Sequence, residues 1–440
     1  MSLLIRGGTI ITMNDAFDVL EGDVSIRRGR IDSISSTIPT AHDRVIDAGG
    51  RYLLPGFVQT HIHLCQTLFR GYADDLPLMD WLRRRIWPLE AAHTPGTLRA
   101  SARLACLDLL AGGTTSVLTM ETVHDTDAVF AAVAETGIRA TVGKCLMDSA
   151  AEAPRRLQEK TRDAIDESLS IRKRWEGAAN GRLRAAFAPR FAVSCSRELL
   201  ESVAALSRDH RALVHTHASE SRDELAIVRE ISGGMTNVAY LASVGLASPR
   251  LCTAHCVWVG DDEQAVLAEH DVKVLHCPGS NLKLGSGIAP VYEMRRRGIT
   301  VSLGADGAAC NNRLDMFEEM RLAAVLQAVR HGPGVLPARQ VLWMATRGGA
   351  RTLGLEAEIG SIETGKRADL IIIDGERPHL APGVDPFSML VYAARGSDVT
   401  TTIVDGDVLI DEGVPVRMDR AEVVGESRTA ARDLIARAGL

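Results

Sequence analysis

Leu54-Pro55-Gly56-Phe57-Val58-Gln59-Thr60-His61-Ile62-His63-Leu64 is the stretch whose reading decides the fold. A short apolar run ends in two histidines two residues apart, and side chains at i and i+2 of a strand project from one face. Two imidazoles therefore converge on one point. Imidazole is a common ligand for zinc and related divalent metals, so an ion is expected there.

Downstream, short β-branched or small-apolar runs alternate with longer helical ones. Strands are expected near 57–61, 114–119, 138–143, 183–188, 212–217, 250–255, 272–276 and 299–304, separated by helix-like segments such as Arg99–Leu110 and Arg222–Val244. Eight strand-then-helix units are the count of a TIM (β/α)8 barrel, whose catalytic groups sit at the C-terminal ends of its strands. A doubly wound open sheet is the alternative, but neither a G-x-G-x-x-G after a strand nor a P-loop is present. The chain is thus expected to be α/β, with a barrel over 56–364.

The remaining histidines and acids fall where that layout needs them. His217 closes the fifth strand, His255 closes the sixth, and Asp306 follows the eighth. With His61 and His63, five potential ligands or water-holders map to one rim. His215 shares a face with His217 and reads as a packed residue or a partner to a ligand. Cys252 and Cys256 flank His255, but no second half of a zinc finger exists, so both read as core thiols.

Both ends of the chain read differently. Residues 3–12 and 23–35 are β-rich with glycine turns, and 368–374 and 400–411 read alike, with Asp405-Gly406 as a hairpin turn. Residues 1–55 and 365–440 are therefore expected to form one small composite domain, a β-sandwich.

Composition narrows the function classes. The 440 residues are 46% apolar and 24% charged, which is ordinary for a globular protein. Net charge is −6 without a basic block and aromatics are 4%, so nucleic acid is not an expected partner. Eight scattered cysteines without a Cys-x-x-Cys suggest reduced thiols and a cytoplasmic setting. No apolar run approaches a membrane span, and the N-terminal residues reach charge and glycine too soon for a signal-peptide core.

Several motifs together resemble the amidohydrolase superfamily. They are Pro55-Gly-Phe-Val-Gln-Thr-His61-Ile-His63, His217-Ala-Ser-Glu220, Thr253-Ala-His255-Cys, His276-Cys-Pro-Gly-Ser-Asn281 through Pro290, and Leu303-Gly-Ala-Asp306-Gly. The branch resembled is the purine-type deaminases, acting on adenosine, methylthioadenosine or S-adenosylhomocysteine, with guanine deaminase and triazine hydrolases nearby. The resemblance runs to Thr364-Gly-Lys-Arg-Ala-Asp369 and so covers nearly the whole chain. It implies one divalent ion, Zn2+ or Fe2+, held by His61, His63, His217 and Asp306. Glu220 would shuttle protons, His255 would hydrogen-bond the attacking water or the developing oxyanion, and Asp306 would take the proton that water loses. Relatives of this kind commonly form homo-oligomers.

Substrate signals disagree. Asp80-Trp-Leu and Trp87-Pro-Leu-Glu90 resemble the nucleoside branch, in which the glutamate holds ribose hydroxyls, and Arg156 falls where that branch carries an arginine for a substrate carboxylate. Ala188-Pro-Arg190-Phe191 instead resembles guanine deaminases, in which the arginine contacts the purine; its donor fork suits an acceptor-rich ring. The substrate is therefore expected to be a small N-heterocycle, with an adenosine-type ring favoured and guanine possible. Lys144 ends strand three and leaves a two-metal site as an alternative. Two other readings stand beside deamination: a triazine-type hydrolase and a non-catalytic binding scaffold.

Overall fold

The computed structural model describes residues 2–39 and 41–440; Met1 and Thr40, within the expected N-terminal segment, lie outside them. Its largest feature is a curled parallel sheet. Phe57–His63, Thr114–Met120, Arg139–Leu146, Leu183–Pro189, Val214–Ala218, Leu251–His255, Lys273–His276 and Val301–Leu303 lie side by side in chain order. A ninth short strand, Asp306–Gly307, pairs with Phe57–His63, placing Asp306 beside Ile62. The last two strands are separated by only Gly304 and Ala305, so the path of the sheet returns to its start. This is an α/β arrangement consistent with a TIM-like barrel.

The strands are short continuous apolar runs because both of their faces are covered, and Phe57–His63 and Arg139–Leu146 are buried at every position. Gly304 has a steric reason. A Cβ there would lie 2.6 Å from the backbone N and O of His61, so only glycine lets the end of strand eight close against strand one.

Helices fill the connections. Pro95–Ala111 starts with a Thr94 capping box and proline in its first turn. The expected helical segment 222–244 is two helices, Arg222–Ser232 and Asn237–Ser243. Gly233, at φ 73°, ends the first by adopting the left-handed conformation, which glycine enters without penalty.

The chain ends form a second, mixed sheet of nine strands. Arg51–Pro55 pairs antiparallel with Leu370–Asp374, which interleaves the N-terminal and C-terminal segments. Strand alternation gives this sheet two roles. Leu370 and Ile372 join Ile5, Ile10 and Leu53 in its own core, while Ile371 and Ile373 pack into the main core. Asp405 and Gly406 both have positive φ, as a two-residue hairpin requires. A buried ion pair ties the sheets together, with Arg139 Nε and Nη2 donating to Asp369 Oδ2 and Oδ1 at 2.7 and 2.9 Å.

The final helix, Arg420–Ala438, leaves the small sheet and packs against Pro95–Ala111. Leu434 enters an apolar cluster with Trp87 and Leu89, and Arg437 Nε donates to the Ala92 carbonyl at 3.0 Å. Among the described residues, no helix is long and apolar enough to cross a membrane.

Candidate active site and metal centre

Four side chains from strands one and five and the short ninth strand meet at the C-terminal rim. His61 Nε2 and His63 Nε2 each lie 3.2 Å from Asp306 Oδ1, and His217 Nε2 lies 3.4 Å from His63 Nε2. The outer ring nitrogens are already engaged. His63 Nδ1 donates to the Met120 carbonyl and His217 Nδ1 to the Arg190 carbonyl, both at 2.7 Å. His61 Nδ1 shares a hydrogen with His215 Nε2 at 2.6 Å. A carbonyl can only accept, so each Nδ1 that meets one carries the hydrogen and its neutral ring turns an Nε2 lone pair inward. Lone pairs and a carboxylate facing one another repel unless a cation lies among them.

The electrostatics point the same way. Burial pushes His61 down to about 4 and holds His217 and His215 well below the usual imidazole value. Burial also depresses His63, but the Asp306 carboxylate beside it outweighs that and raises the ring above its usual value, a pull toward positive charge at Nε2. Asp306 is disfavoured as an anion by burial, yet the His61 and His63 rings hold it well below the carboxylate range. The carboxylate thus demands positive charge at this point, while His61 Nε2 is buried without a hydrogen-bond partner. Three neutral imidazoles and one carboxylate fit a divalent metal ion.

Glu220 and His255 stand beside this set. His255 Nε2 is 3.5 Å from Glu220 Oε2 and 3.8 Å from Asp306 Oδ2, and His255 Nδ1 donates to Asn281 Oδ1 at 2.8 Å. Burial raises the Glu220 carboxyl to about 7. His255 and Asp306 hold left-handed φ values of 71° and 64°, and such non-glycine conformations persist where the surroundings fix them.

A cavity opens at this rim. Leu78, Trp81, Phe191 and Leu284 give it apolar walls, and Gln66, Arg190, Glu220 and His255 give it polar ones. Glu90 and Arg190 are brought together, but mostly with each other. Arg190 Nη1 and Nη2 donate to Glu90 Oε2 and Oε1 at 2.6 and 3.2 Å, and both side chains are buried. Arg156 is half-exposed, pairs with Asp125 at 3.2 Å and is not among the cavity-lining side chains. Lys144 is buried against Glu159 at 2.6 Å and is likewise absent from the lining.

Comparison with known proteins then places the chain. The Amidohydrolase family model matches residues 52–409. The chain is 42% identical over 438 residues to a 5′-deoxyadenosine deaminase of Methanosarcina acetivorans, covering 99% of each. The chain belongs to the amidohydrolase family. It is also 39% identical over 442 residues to a 5-methylthioadenosine/S-adenosylhomocysteine deaminase of Pelotomaculum thermopropionicum, again across 99% of each. A crystal structure of an adenosine deaminase from Xanthomonas campestris with bound zinc superposes with a TM-score of 0.91. The identity is 33%, over 99% of this chain and 98% of that one.

Sequence reasoning missed several side chains of this amidohydrolase site. Ser280 Oγ donates to Asp306 Oδ2 at 2.7 Å, and Asn281 beside it holds His255. Glu121 accepts from the backbone N–H groups of Leu64 and Cys65 at 3.2 and 2.9 Å, fixing the turn that follows His63. Glu121 directly follows strand two, so the strand-end rule that found Asp306 also points to it. Gln66, three residues after His63, carries no such signal.

Proposed function

We propose that this amidohydrolase is a metal-dependent hydrolytic deaminase that releases ammonia from an adenosine-type nucleoside. The observation that carries the reading is the convergence of His61, His63, His217 and Asp306 beside a buried Glu220. The names of the relatives at 39–42% identity, 5′-deoxyadenosine and 5-methylthioadenosine/S-adenosylhomocysteine deaminases, support the substrate class. On this reading residues 56–364 form a closed (β/α)8 barrel, and 1–55 with 365–440 form a composite β-sandwich domain. Zinc is the ion, as the imidazole-rich donor set and the zinc-bearing relative suggest. The eight free, buried cysteines suit a reducing cytoplasm.

When bound, the ion supplies Lewis acidity, bringing the pKa of a water toward ~7 so that a nucleophile is available near neutrality. The rest is done by the chain. Asp306, anionic and anchored by Ser280, accepts the proton that water gives up. Glu220, raised to about 7, holds a proton that it can deliver to the ring nitrogen beside the attacked carbon. His255, its Nδ1–H fixed by Asn281, turns Nε2 inward to accept a hydrogen bond from the attacking water. One C–N bond breaks, one C–O bond forms, and the amine leaves as ammonia once protonated. Glu220 favours this over the triazine-type reading, because chloride leaves without a proton.

Ammonia release from adenosine, 5′-deoxyadenosine, 5′-methylthioadenosine, guanine and an aminotriazine tests the reading. Turnover of the adenosine compounds is expected; turnover confined to guanine or the triazine contradicts it.

A further inference from the structure

The N-terminal end of the barrel, opposite the metal centre, holds a concentration of positive charge that the proposed reaction does not use. A cleft there is lined by Arg172, Glu176, Arg184, Arg211, Arg250 and Arg351. Arg184 sits near the start of strand four, and Arg211 and Arg250 lie just before strands five and six. Arg172 comes from helix Thr161–Trp175 and Arg351 from helix Arg347–Thr352. Five guanidiniums from separate elements of a chain with net charge −6 thus meet one carboxylate.

That carboxylate is already engaged. Glu176 Oε2 accepts from Arg172 Nη1 and from the Ala185 N–H, both at 2.9 Å. Arg250 donates only through Nε, to Ser207 Oγ at 3.4 Å, and the side chains of Arg184, Arg211 and Arg351 donate to nothing among the described residues. Arg211 and Arg351 are exposed and on their own would simply be hydrated. Arg184 is different. Strand alternation puts it on the same face as Ala186, which packs with Val58, Leu118 and Leu353, so a cation stands where a barrel interior ordinarily holds an apolar side chain. Burial pulls the half-buried Arg184 below the usual guanidinium value, against Glu176 and Glu358, while Arg139 and Arg367 push the same way as burial. Glu358 itself pairs with Arg30 and Arg367 at 2.9 and 3.0 Å. A charge drawn out of water without a partner costs free energy that a bound anion returns.

We propose that this cleft binds a diphosphate group, carried by free pyrophosphate or by a nucleotide. The planar fork of a guanidinium matches two phosphate oxygens at once. With Arg172 paired to Glu176, four guanidiniums stand uncompensated, and they complement the roughly three negative charges of a diphosphate better than the one or two of a monophosphate. A cleft lined by one sign of charge also focuses the field and concentrates such ligands. The site lies at the other end of the strands from His61 and Asp306, and it holds whichever substrate the metal centre takes.

Isothermal titration of the metal-loaded protein at constant ionic strength tests this, with inorganic phosphate, inorganic pyrophosphate and adenosine 5′-diphosphate as probes. Saturable binding of pyrophosphate and the nucleotide is expected, at least about tenfold tighter than that of phosphate. Equal affinity for the two means that the diphosphate alone is read; tighter binding of the nucleotide means that the nucleoside is read as well. Arg184→Gln should weaken binding roughly 10- to 100-fold, as loss of a hydrogen bond from a charged donor does. The double variant Arg211→Gln with Arg351→Gln should do the same, and its exposed positions leave folding undisturbed. Neither change removes an ion pair, so without ligand both proteins should melt no lower than wild type and keep its metal content. Binding that persists unchanged in both variants, as chelation of the active-site ion would, overturns the proposal. So does pyrophosphate bound no more tightly than phosphate, or no saturable binding of any probe.

Discussion

Glu220 turns on the position of one proton. Its carboxyl, raised to about 7 by burial, sits 3.5 Å from His255 and accepts from Ser286 Oγ at 3.3 Å. Glu220→Gln should keep the metal and lower kcat by roughly 10²- to 10⁴-fold, checked by turnover alongside metal content. Near-wild-type turnover would remove Glu220 from the proton path. His215 acts one bond further out, orienting His61 through a 2.6 Å contact. His215→Phe should weaken metal affinity about 10- to 100-fold, measured by competition with a chelator. At this scale the meeting of His61, His63, His217 and Asp306 was legible in sequence because strand ends mark the rim. Glu90 and Arg190 were legible only as separate residues. They lie 100 positions apart, and nothing local in either stretch says that each is the other's counter-ion.

At the scale of elements, helix Met316–His331 carries a second buried acid, Glu319, which accepts from Gly279 N–H at 3.0 Å and from Asn311 Nδ2 at 2.7 Å. It thereby braces the segment that bears Ser280 and Asn281. Burial raises Glu319 to about 8, so between about 4.5 and 8 the folded chain holds a proton that the unfolded chain does not. Its contribution to stability is fully present below about 4.5 and is lost as pH rises through 8. Denaturation midpoints across pH 5–9 should fall on the alkaline side in wild type and fall less steeply in Glu319→Gln. An equal decline in both would assign the slope elsewhere. The eight strands were legible because their apolar runs are short and separated by helical periods. Their ends shifted by at most three residues, most at strand three, expected over 138–143 and observed as Arg139–Leu146. Strand eight, expected over 299–304, is observed as Val301–Leu303. There Gly304 takes its place against His61, a close approach between residues far apart in the chain.

Across the whole molecule, the small sheet and the large one are held together by apolar packing through Ile371 and Ile373 and by one buried ion pair, Arg139 with Asp369. Replacing Asp369 by alanine strands a buried guanidinium and should destabilise the fold by about 3–5 kcal/mol, read from denaturant unfolding. A loss under about 1 kcal/mol would mean that Asp405, 3.8 Å from Arg139, takes over as its partner. That the two chain ends share a sheet was legible from matching β patterns; that the final helix leaves it for Pro95–Ala111 was not, because that packing rests on contacts such as Arg103 with Glu422, over three hundred residues apart. All these parts serve one point, where His61, His63, His217 and Asp306 meet and on the proposed reading hold one cation. Elemental analysis of the purified protein tests that directly. The account predicts about one equivalent of divalent metal per chain, lost in His63→Ala, and a protein that binds none even after expression in metal-supplemented medium would contradict it.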